Sequence, residues 1–404
     1  MKVSLIVSSY GERDLLGKTL QSLDAQTADP EAYEVVVVEG TDGSDSSAAM
    51  KNRGIRKARY AICCFLNEGV LLAPDAVESL LQVHGMPNRV CIGRIHGLFQ
   101  PDHHPALPLL RRIYESADPL KCFKHPLLPT FGDGRQKDLE AFSTSSTPWL
   151  LLNAALFSVE SSVLHEVGLF DEDFRDQGFE DRELGIRLWQ KGCLFRFEPR
   201  FRGLIIRNRQ RLAPGDADRV RLVEKHRALE VELSSIQTEH NPFSLIKHFK
   251  QAISLISMDY PGIGEAIPPM LTEKRLAVGC HSDRLAHEVG ATDSFTMNST
   301  TFQSSSDGVG ACRVVETLGL LSGANDQHYD TVVVTDSWRI VPHALLQPFF
   351  KEMQRIGKTV YLLSSSQLEV RNQLMQSFQE IEQIHSFQIK THAVQESYTI
   401  YELC

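Results

Sequence analysis

The sequence predicts an α/β protein with two domains, each built on a parallel β-sheet that is covered by helices. Short apolar runs alternate with segments whose apolar residues recur at helical spacing, and this order is typical of a doubly wound sheet. The same alternation begins again after about residue 266. The chain has 404 residues, which at roughly 150 residues per domain gives room for two or three domains.

Apolar runs predict the strands of the first domain. A strand that is buried on both faces is a continuous apolar stretch, and stretches of this kind occupy 3–7, 35–38, 62–66 and 90–92. Helical spacing between them predicts helices over 15–26, 48–58 and 74–83. Because parallel neighbours need crossover connections, we expect the carboxyl ends of these strands to meet at one edge of the sheet, where ligands bind.

Polar residues follow three of these runs directly. They are Ser8 to Tyr10, Glu39 to Asp42, and Asn67 with Glu68. Since all three groups come at the carboxyl ends of parallel strands, we expect their loops to converge on one crevice.

The rest of the first domain begins with a segment that prolines interrupt, from about 101 to 148. We interpret this segment as loop-rich, and either a lid or a segment that faces an acceptor. Order returns at 149–153, and a helix is predicted over 180–191. That helix begins at two acids, Glu180 and Asp181, and ends at a glycine.

A charged, helical stretch then separates the two domains. We predict a first domain over 1–212, a helical linker over 213–265 and a smaller, Rossmann-like α/β domain over 266–404. Within the linker, an apolar helix face near 248–256 is interpreted as packing between domains, with docking to a membrane as the alternative.

The second domain is predicted from its own runs. Its strands are expected at 275–279, 331–335, 359–363 and 398–401, and its helices at 309–321, 343–355 and 367–379. The segment 336–339 follows a valine-rich run, so it is either a capped loop or a ligand site.

Composition excludes several classes of protein. Lys and Arg number 42 against 51 Asp and Glu, which gives a net charge of −9 and argues against a nucleic-acid binder. The sequence contains no stretch of about twenty apolar residues, so no transmembrane helix is predicted. The first apolar run is too short for a secretory signal, and the eight cysteines form no CxxC pair. We expect a cytoplasmic protein, with peripheral contact at the inner face of the membrane left open.

Five landmarks in order resemble glycosyltransferase family 2, whose members have the GT-A fold and transfer a sugar from a nucleotide donor with inversion. The landmarks are Val3 to Tyr10 with Leu15 to Thr27, Glu34 to Glu39, Lys51 to Ala58, Phe65 to Gly69 with Pro74-Asp75, and Gly168 to Phe174 with Gly178 to Arg187. The resemblance covers about the first 210 residues and implies a GT-A domain there.

The resemblance also implies roles for single residues. Asp181 takes the place of the catalytic base, with Glu180 beside it; the alternative is that both acids only stabilise a helix amino end. The residues implied in donor binding are Ser8, Tyr10, Glu39, Asp42, Lys51, Asn67, Glu68 and Arg207. Glu39 stands where the family has Asp, and Lys51 where it commonly has Arg; a solvated acid and a surface lysine are the alternatives.

The metal site is the largest departure from the family. The Asp-x-Asp segment reads Asn67-Glu68-Gly69 here, and no His lies between Pro199 and Leu212. A glycine offers no side-chain ligand, and an amide is weaker than a carboxylate. The usual metal ligands are therefore missing, and the alternative is an Mn²⁺ or Mg²⁺ site with Glu68 as a ligand and Asp42 as its partner acid.

Two explanations compete for this departure. In the first, arginines replace the metal at the leaving diphosphate, because Arg binds phosphate in a bidentate manner. Five of them, with no acid among them, are Arg200, Arg202, Arg207, Arg209 and Arg211. In the second, the chain is a catalytically silent binding or scaffold subunit.

The sequence thus predicts an inverting glycosyltransferase that uses a nucleotide sugar, by resemblance a UDP-sugar. Its expected acceptor is a hydroxyl of a glycan, a lipid-linked sugar or a peptide. The second domain is a candidate for contact with a partner protein or with a second copy of the chain.

Overall fold

A computed structural model of the chain describes most of its residues. Described are 1–40, 45–98, 118–130, 132–133, 146–152, 155–175, 178–206, 216–236, 241–253, 260–270, 272–279, 282–297, 312–365 and 387–404, with single positions at 108, 112, 115, 135, 138–139 and 256. The chain divides into two compact units, Met1–Asp218 and Arg219–Cys404. The boundary between them falls inside the stretch for which we predict a linker.

The first unit is built on a seven-stranded sheet with the order β2-β1-β3-β6-β5-β7-β4. Its strands are β1 (Val3–Ser9), β2 (Tyr33–Glu39), β3 (Ile62–Asn67), β4 (Val70–Leu72), β5 (Arg89–His96), β6 (Leu156–Glu160) and β7 (Leu194–Ile205). The runs that predicted β1, β2 and β3 form a parallel group with β1 in the centre. Beyond them the sheet is mixed, because β6 is antiparallel to both β3 and β5.

Helices cover both faces of this sheet. They are α1 (Arg13–Asp24), α2 (Ser47–Lys57), α3 (Ala76–Val83), α4 (Ser161–Glu166) and α5 (Phe179–Gln190). The start of α2 is fixed by Ser46, whose hydroxyl accepts a hydrogen bond from the amide of Ala49 at 3.2 Å. Close packing of α2 on β1 requires Gly54, since a Cβ there would lie 2.3 Å from Cγ2 of Ile6.

The second unit has a seven-stranded sheet of its own, with the order β10-β9-β8-β11-β12-β14-β13. The strands are β8 (Arg275–Gly279), β9 (Asp293–Thr296), β10 (Arg313–Glu316), β11 (Tyr329–Val334), β12 (Gly357–Ser365), β13 (Ile389–Val394) and β14 (Tyr398–Leu403). Its first five strands are parallel, and β13 and β14 form an antiparallel edge.

The described helices from the unit boundary onward are α6 (Asp216–Lys225), α7 (Leu229–Ser235), α8 (Pro242–Ile253), α9 (Ile263–Ala266), α10 (Ser282–Val289) and α11 (His343–Ile356). The α/β class predicted for both halves is confirmed. The helix predicted over 309–321 is wrong in its described part, where β10 pairs with β9 instead. Two adjacent valines, Val314 and Val315, favour an extended chain there, and the parallel pairing with β9 stabilises it. The helix predicted over 367–379 lies outside the described residues.

Candidate active site

Three loops meet at the carboxyl edge of the first sheet. The amide of Gly40, after β2, donates to the carbonyl of Ser9 at 3.0 Å. The amide of Glu68, after β3, donates to the carbonyl of Ser8 at 2.9 Å. Backbone hydrogen bonds therefore hold the ends of β1, β2 and β3 against each other, and the side chains that follow them share one region.

A buried group of three charges lies beside this edge, and we call it the acid–lysine cluster: Lys51, Glu180 and Asp181. Nζ of Lys51, on α2, lies 2.8 Å from Oε1 of Glu180 and 2.6 Å from Oδ1 of Asp181, both in the first turn of α5. The side chains of Lys51 and Glu180 are each 2% exposed and that of Asp181 is 5% exposed. Two elements far apart in the chain are thus tied by buried ion pairs.

The charges of the cluster support one another. Burial alone would lower the pKa of Lys51, but the carboxylates of Asp181 and Glu180 raise it well above its usual value. Burial alone would raise the pKa of Glu180, yet the ammonium of Lys51 and hydrogen bonds from Ser47 and Gly178 hold it below its usual value. Lys51 and Glu180 are therefore both ionised at neutral pH.

Tyr10 links the first loop to this cluster. Its hydroxyl donates to Oγ of Ser47 at 3.2 Å, and the Ser47 hydroxyl in turn hydrogen-bonds Glu180. Burial raises the pKa of Tyr10, with Lys51 acting in the opposite direction. The phenol is a neutral donor at physiological pH, so a polar chain runs from the end of β1 to the cluster.

Asn52 fixes the segment that leads into α5. Its side-chain Nδ2 donates to the carbonyl of Phe170 at 2.9 Å and to Oε1 of Glu172 at 2.8 Å, while its Oδ1 accepts from the amide of Phe170 at 3.0 Å. The ring of Phe170 then lies 4.9 Å from Nζ of Lys51. Sequence reasoning did not single out Ser47, Asn52 or Phe170, although the last two stand inside matched landmarks.

The other predicted donor residues are placed as follows. Ser8 is buried and lies in register with Asn67 of β3. The side chain of Glu39 is exposed at the end of β2, and its carbonyl accepts from Arg53 at 3.0 Å. Asp42 lies outside the described residues.

The residues at the end of β3 do not form a metal site of the family's kind. Oε2 of Glu68 accepts from the hydroxyl of Ser9 at 2.8 Å and from the amide of Glu12 at 3.3 Å. Gly69 has no side-chain ligand, and Oδ1 of Asn67 is buried with no hydrogen-bond partner among the residues that the structure describes. Within the described part of the chain, no three His, Cys, Asp or Glu side chains are grouped to hold an ion. The side chains at the end of β3 therefore differ from the Asp-x-Asp pattern that the family resemblance implies.

The arginine-rich segment, from Arg200 to Arg211, passes close to the end of β3. The amide of Ile206, which follows β7, donates to the carbonyl of Gly69 at 3.1 Å. Arg200 is committed to Glu198 and to Gln82, and Arg202 lies 3.5 Å from Asp75. Arg207, Arg209 and Arg211 lie outside the described residues.

In the second unit, the segment 336–339 is held by its own chain. Oδ1 of Asp336 accepts from Nε of Arg339 at 2.8 Å, Oδ2 accepts from the Tyr260 hydroxyl at 3.0 Å, and the amide of Ser365 donates to the same carboxylate. All the named side chains are buried. Of the two alternatives for this segment, a capped loop and a ligand site, the arrangement corresponds to the capped loop.

No helix in the described ranges is long and apolar enough to cross a membrane.

Comparison with known proteins gives sequence relatives over most of the chain, although no family model matches it. The chain is 27% identical to the validoxylamine A glucosyltransferase of Streptomyces hygroscopicus subsp. limoneus over 412 aligned positions, covering 89% of each protein. It is 29% identical over 245 positions to an uncharacterized glycosyltransferase, YfnE, of Bacillus subtilis strain 168, covering 48% of this chain and 62% of that protein.

Among solved structures, a mannosyltransferase from Pyrobaculum calidifontis in complex with GDP-Man and Mn²⁺ is similar at 15% identity and a TM-score of 0.35, covering 65% of this chain and 66% of that one. This TM-score is too low to support an inference, so the assignment rests on sequence. The sequence similarity extends over 89% of the chain and therefore reaches both units, and it indicates that the chain is a glycosyltransferase, a transferase enzyme.

Proposed function

We propose that the chain is an inverting glycosyltransferase in which Asp181 is the general base. The observation that carries this proposal is the position of Asp181, in the first turn of α5 and held by Lys51 beside the edge where three strand ends meet. An inverting transfer needs a group that takes the proton of the acceptor hydroxyl as the sugar carbon develops positive charge. A carboxylate that is ionised at neutral pH is suited to that task.

The donor nucleotide is proposed to bind across the three loops. Ser8 and Tyr10 come from the first loop, Glu39 and Asp42 from the second, and Asn67 with Glu68 from the third. Support comes from the backbone hydrogen bonds that join these loops and from the resemblance of their sequences to donor-binding segments. The buried Oδ1 of Asn67, which has no hydrogen-bond partner among the described residues, is an acceptor available to a hydroxyl or amide of a ligand.

Charge at the leaving diphosphate is proposed to be neutralised by the arginine-rich segment. Oε2 of Glu68 already accepts hydrogen bonds from Ser9 and Glu12, and no three His, Cys, Asp or Glu side chains of the described residues are grouped to hold an ion. Ile206 brings the chain to Gly69 just before Arg207. A guanidinium supplies positive charge and two parallel donors to a phosphate without a metal.

UDP-glucose is the first donor to test, because two relatives that span 89% of this chain are named glucosyltransferases and the resemblance favours a UDP-sugar. The acceptor is proposed to be a hydroxyl of a glycan, a lipid-linked sugar or a peptide. Validoxylamine A belongs in the acceptor panel, since both relatives are named for it.

The experiment is a donor-turnover and transfer assay over a panel of nucleotide sugars, with EDTA or with manganese. Wild type is compared with Asp181→Asn and with Asp173→Asn, an exposed acid of the preceding segment, as matched control. We expect Asp181→Asn to lose about 100-fold or more of the activity, the usual contribution of a general base, and the control to keep it.

Two results would contradict the proposal. If no donor is turned over and none shifts the melting temperature, the chain is a silent binding subunit. If turnover requires manganese in full, the metal-free part fails. Turnover that is insensitive to EDTA and is lost on Arg207→Ala supports that part.

A further inference from the structure

Lys51 has a role in this structure that its sequence position does not suggest. Its ammonium is buried and lies within 2.8 Å of two carboxylates, so it is not presented to a phosphate. One of those carboxylates belongs to the residue we propose as the base. The inference developed from this contact rests on the proposed function and extends it to the control of that base.

The acid–lysine cluster holds one ammonium and two carboxylates in a site that water barely reaches. Lys51 favours the charged form of each acid, whereas the two acids disfavour each other's charge. When Asp181 accepts a proton, Lys51 and Glu180 remain as one neutral pair. The cluster therefore passes from one excess negative charge to none, and the ammonium does not lose its partner.

We propose that Lys51 is a positioning residue for Asp181, which it holds ionised and oriented, and that Glu180 retains the ammonium when Asp181 takes the acceptor's proton. In that step the O–H bond of the acceptor breaks and its proton goes to Asp181. The hydroxyl oxygen forms a bond to the anomeric carbon. The bond from that carbon to the diphosphate breaks, and its electron pair leaves with the diphosphate.

Two other titratable groups are linked to the acid–lysine cluster or to the residue that follows Lys51. Tyr10 approaches from the first loop and interacts electrostatically with Lys51, Glu180 and Asp181. Glu172, in the segment before α5, is held by Asn52. Neither group is a cation. In the hydrogen bonds and ion pairs described above, the positive charge that contacts Asp181 is the ammonium of Lys51.

The test is the dependence of kcat/KM on pH between about 4.5 and 8, measured with the donor that the panel identifies. The acidic limb is the fall of kcat/KM at low pH, where the base becomes protonated. Lys51 is a counter-ion of Asp181 and Glu180 is a like charge, so their removal must shift this limb in opposite directions. We expect Lys51→Met to move that limb to higher pH and Glu180→Gln to move it to lower pH, each by about 1 to 3 units, the usual effect of a charge at this distance. Lys51→Arg keeps the charge and should keep the limb near its wild-type position.

Binding of UDP alone, measured by calorimetry, separates this role from phosphate binding. We expect the Lys51 variants to bind UDP within about threefold of wild type, because the ammonium faces carboxylates. If Lys51→Met weakens UDP binding tenfold or more while the acidic limb stays in place, Lys51 is a phosphate ligand and the inference is wrong. Limbs that move in the same direction, or not at all, in Lys51→Met and Glu180→Gln also overturn it.

Folding failure of one variant does not leave the question open. Glu180→Gln removes one of two buried like charges and keeps the Lys51–Asp181 pair, so its limb decides the matter alone if Lys51→Met is unfolded. The proposed function fails separately, when Asp181→Asn is as active as wild type. An inactive Asp181→Asn together with an unmoved limb in Glu180→Gln refutes only the inference.

Discussion

Replacing Lys51 by Met should destabilise the first unit strongly, and the reason is electrostatic. Met has a similar length and fills the space of the lysine stem, but it leaves Glu180 and Asp181 buried without the ammonium that now lies 2.8 Å and 2.6 Å from them. Removal of one partner from a buried ion pair costs about 3–5 kcal/mol, because the remaining charge stays desolvated. We expect a loss of that size at pH 7.5.

The loss should depend on pH in a direction that the cluster dictates. In the wild type, the lowered pKa of Glu180 contributes stability above its unfolded value, and that contribution disappears as the pH falls through the folded value. In Lys51→Met the ammonium no longer opposes the effect of burial, and only the hydrogen bonds from Ser47 and Gly178 remain. The pKa of Glu180 should therefore rise, and the penalty is relieved as the pH falls and the carboxyl takes up its proton. The difference between wild type and variant should therefore be largest at pH 7.5 and shrink towards pH 4.5.

Urea unfolding followed by tryptophan fluorescence measures this difference at each pH. Lys57→Met is the matched control, because Lys57 lies on the same helix and is exposed. We expect that control to change stability by less than about 0.5 kcal/mol. If Lys51→Met behaves like Lys57→Met, or if its penalty is the same at pH 7.5 and pH 4.5, the buried cluster does not exist as described.

Three further predictions concern single buried groups. Burial lowers the pKa of His84 from 6.5 to about 4. Because the unfolded chain binds the proton first as the pH falls, about 3 kcal/mol of stability should be lost between pH 6.5 and 4. Urea unfolding measures this loss, which should be absent in His84→Gln. Gly54→Ala should cost about 1–3 kcal/mol in thermal unfolding, because its Cβ would lie 2.3 Å from Ile6, whereas Gly17→Ala, in open space on α1, should be neutral or stabilising. Glu232→Ala should cost about 1–3 kcal/mol, since its buried carboxylate accepts from three backbone amides in the second unit, and hydrogen exchange at those amides should rise.

The parallel strands of the first sheet were predictable because each of them is marked in the sequence by its own apolar run. The runs over 3–7 and 62–66 contain almost no polar side chain and form strands that are buried along nearly their whole length. The all-valine run over 35–38 also forms a strand, but β2 lies at the edge of the sheet and Val35 and Val37 are only half-buried. The antiparallel insertion of β6 between β3 and β5 was not predictable, because strand order depends on which edges pair after the chain has crossed a long proline-rich segment. No local feature of residues 156–160 encodes that choice.

The site was predictable in its members more than in its contacts. Lys51 and Asp181 stood in matched landmarks, but the sequence could not show that 130 positions of separation close into a 2.6 Å contact. Glu68 shows the same limit: it reads as a remnant metal ligand, yet its carboxylate accepts a hydroxyl and an amide of the first loop. Such pairings depend on tertiary approach, which residue type and spacing do not specify.

The excess negative charge of the acid–lysine cluster is tolerated because of where α5 begins. Glu180 and Asp181 lie in its first turn, where unpaired amides give the helix end a partial positive charge. The amide of Gly178 donates to Oε2 of Glu180 at 2.6 Å, and this residue adopts a φ of +99°, a conformation that glycine reaches without strain. Backbone dipoles therefore offset the charge that Lys51 alone leaves uncompensated. The same charge makes the site a proton acceptor, since one proton on Asp181 leaves the remaining pair neutral.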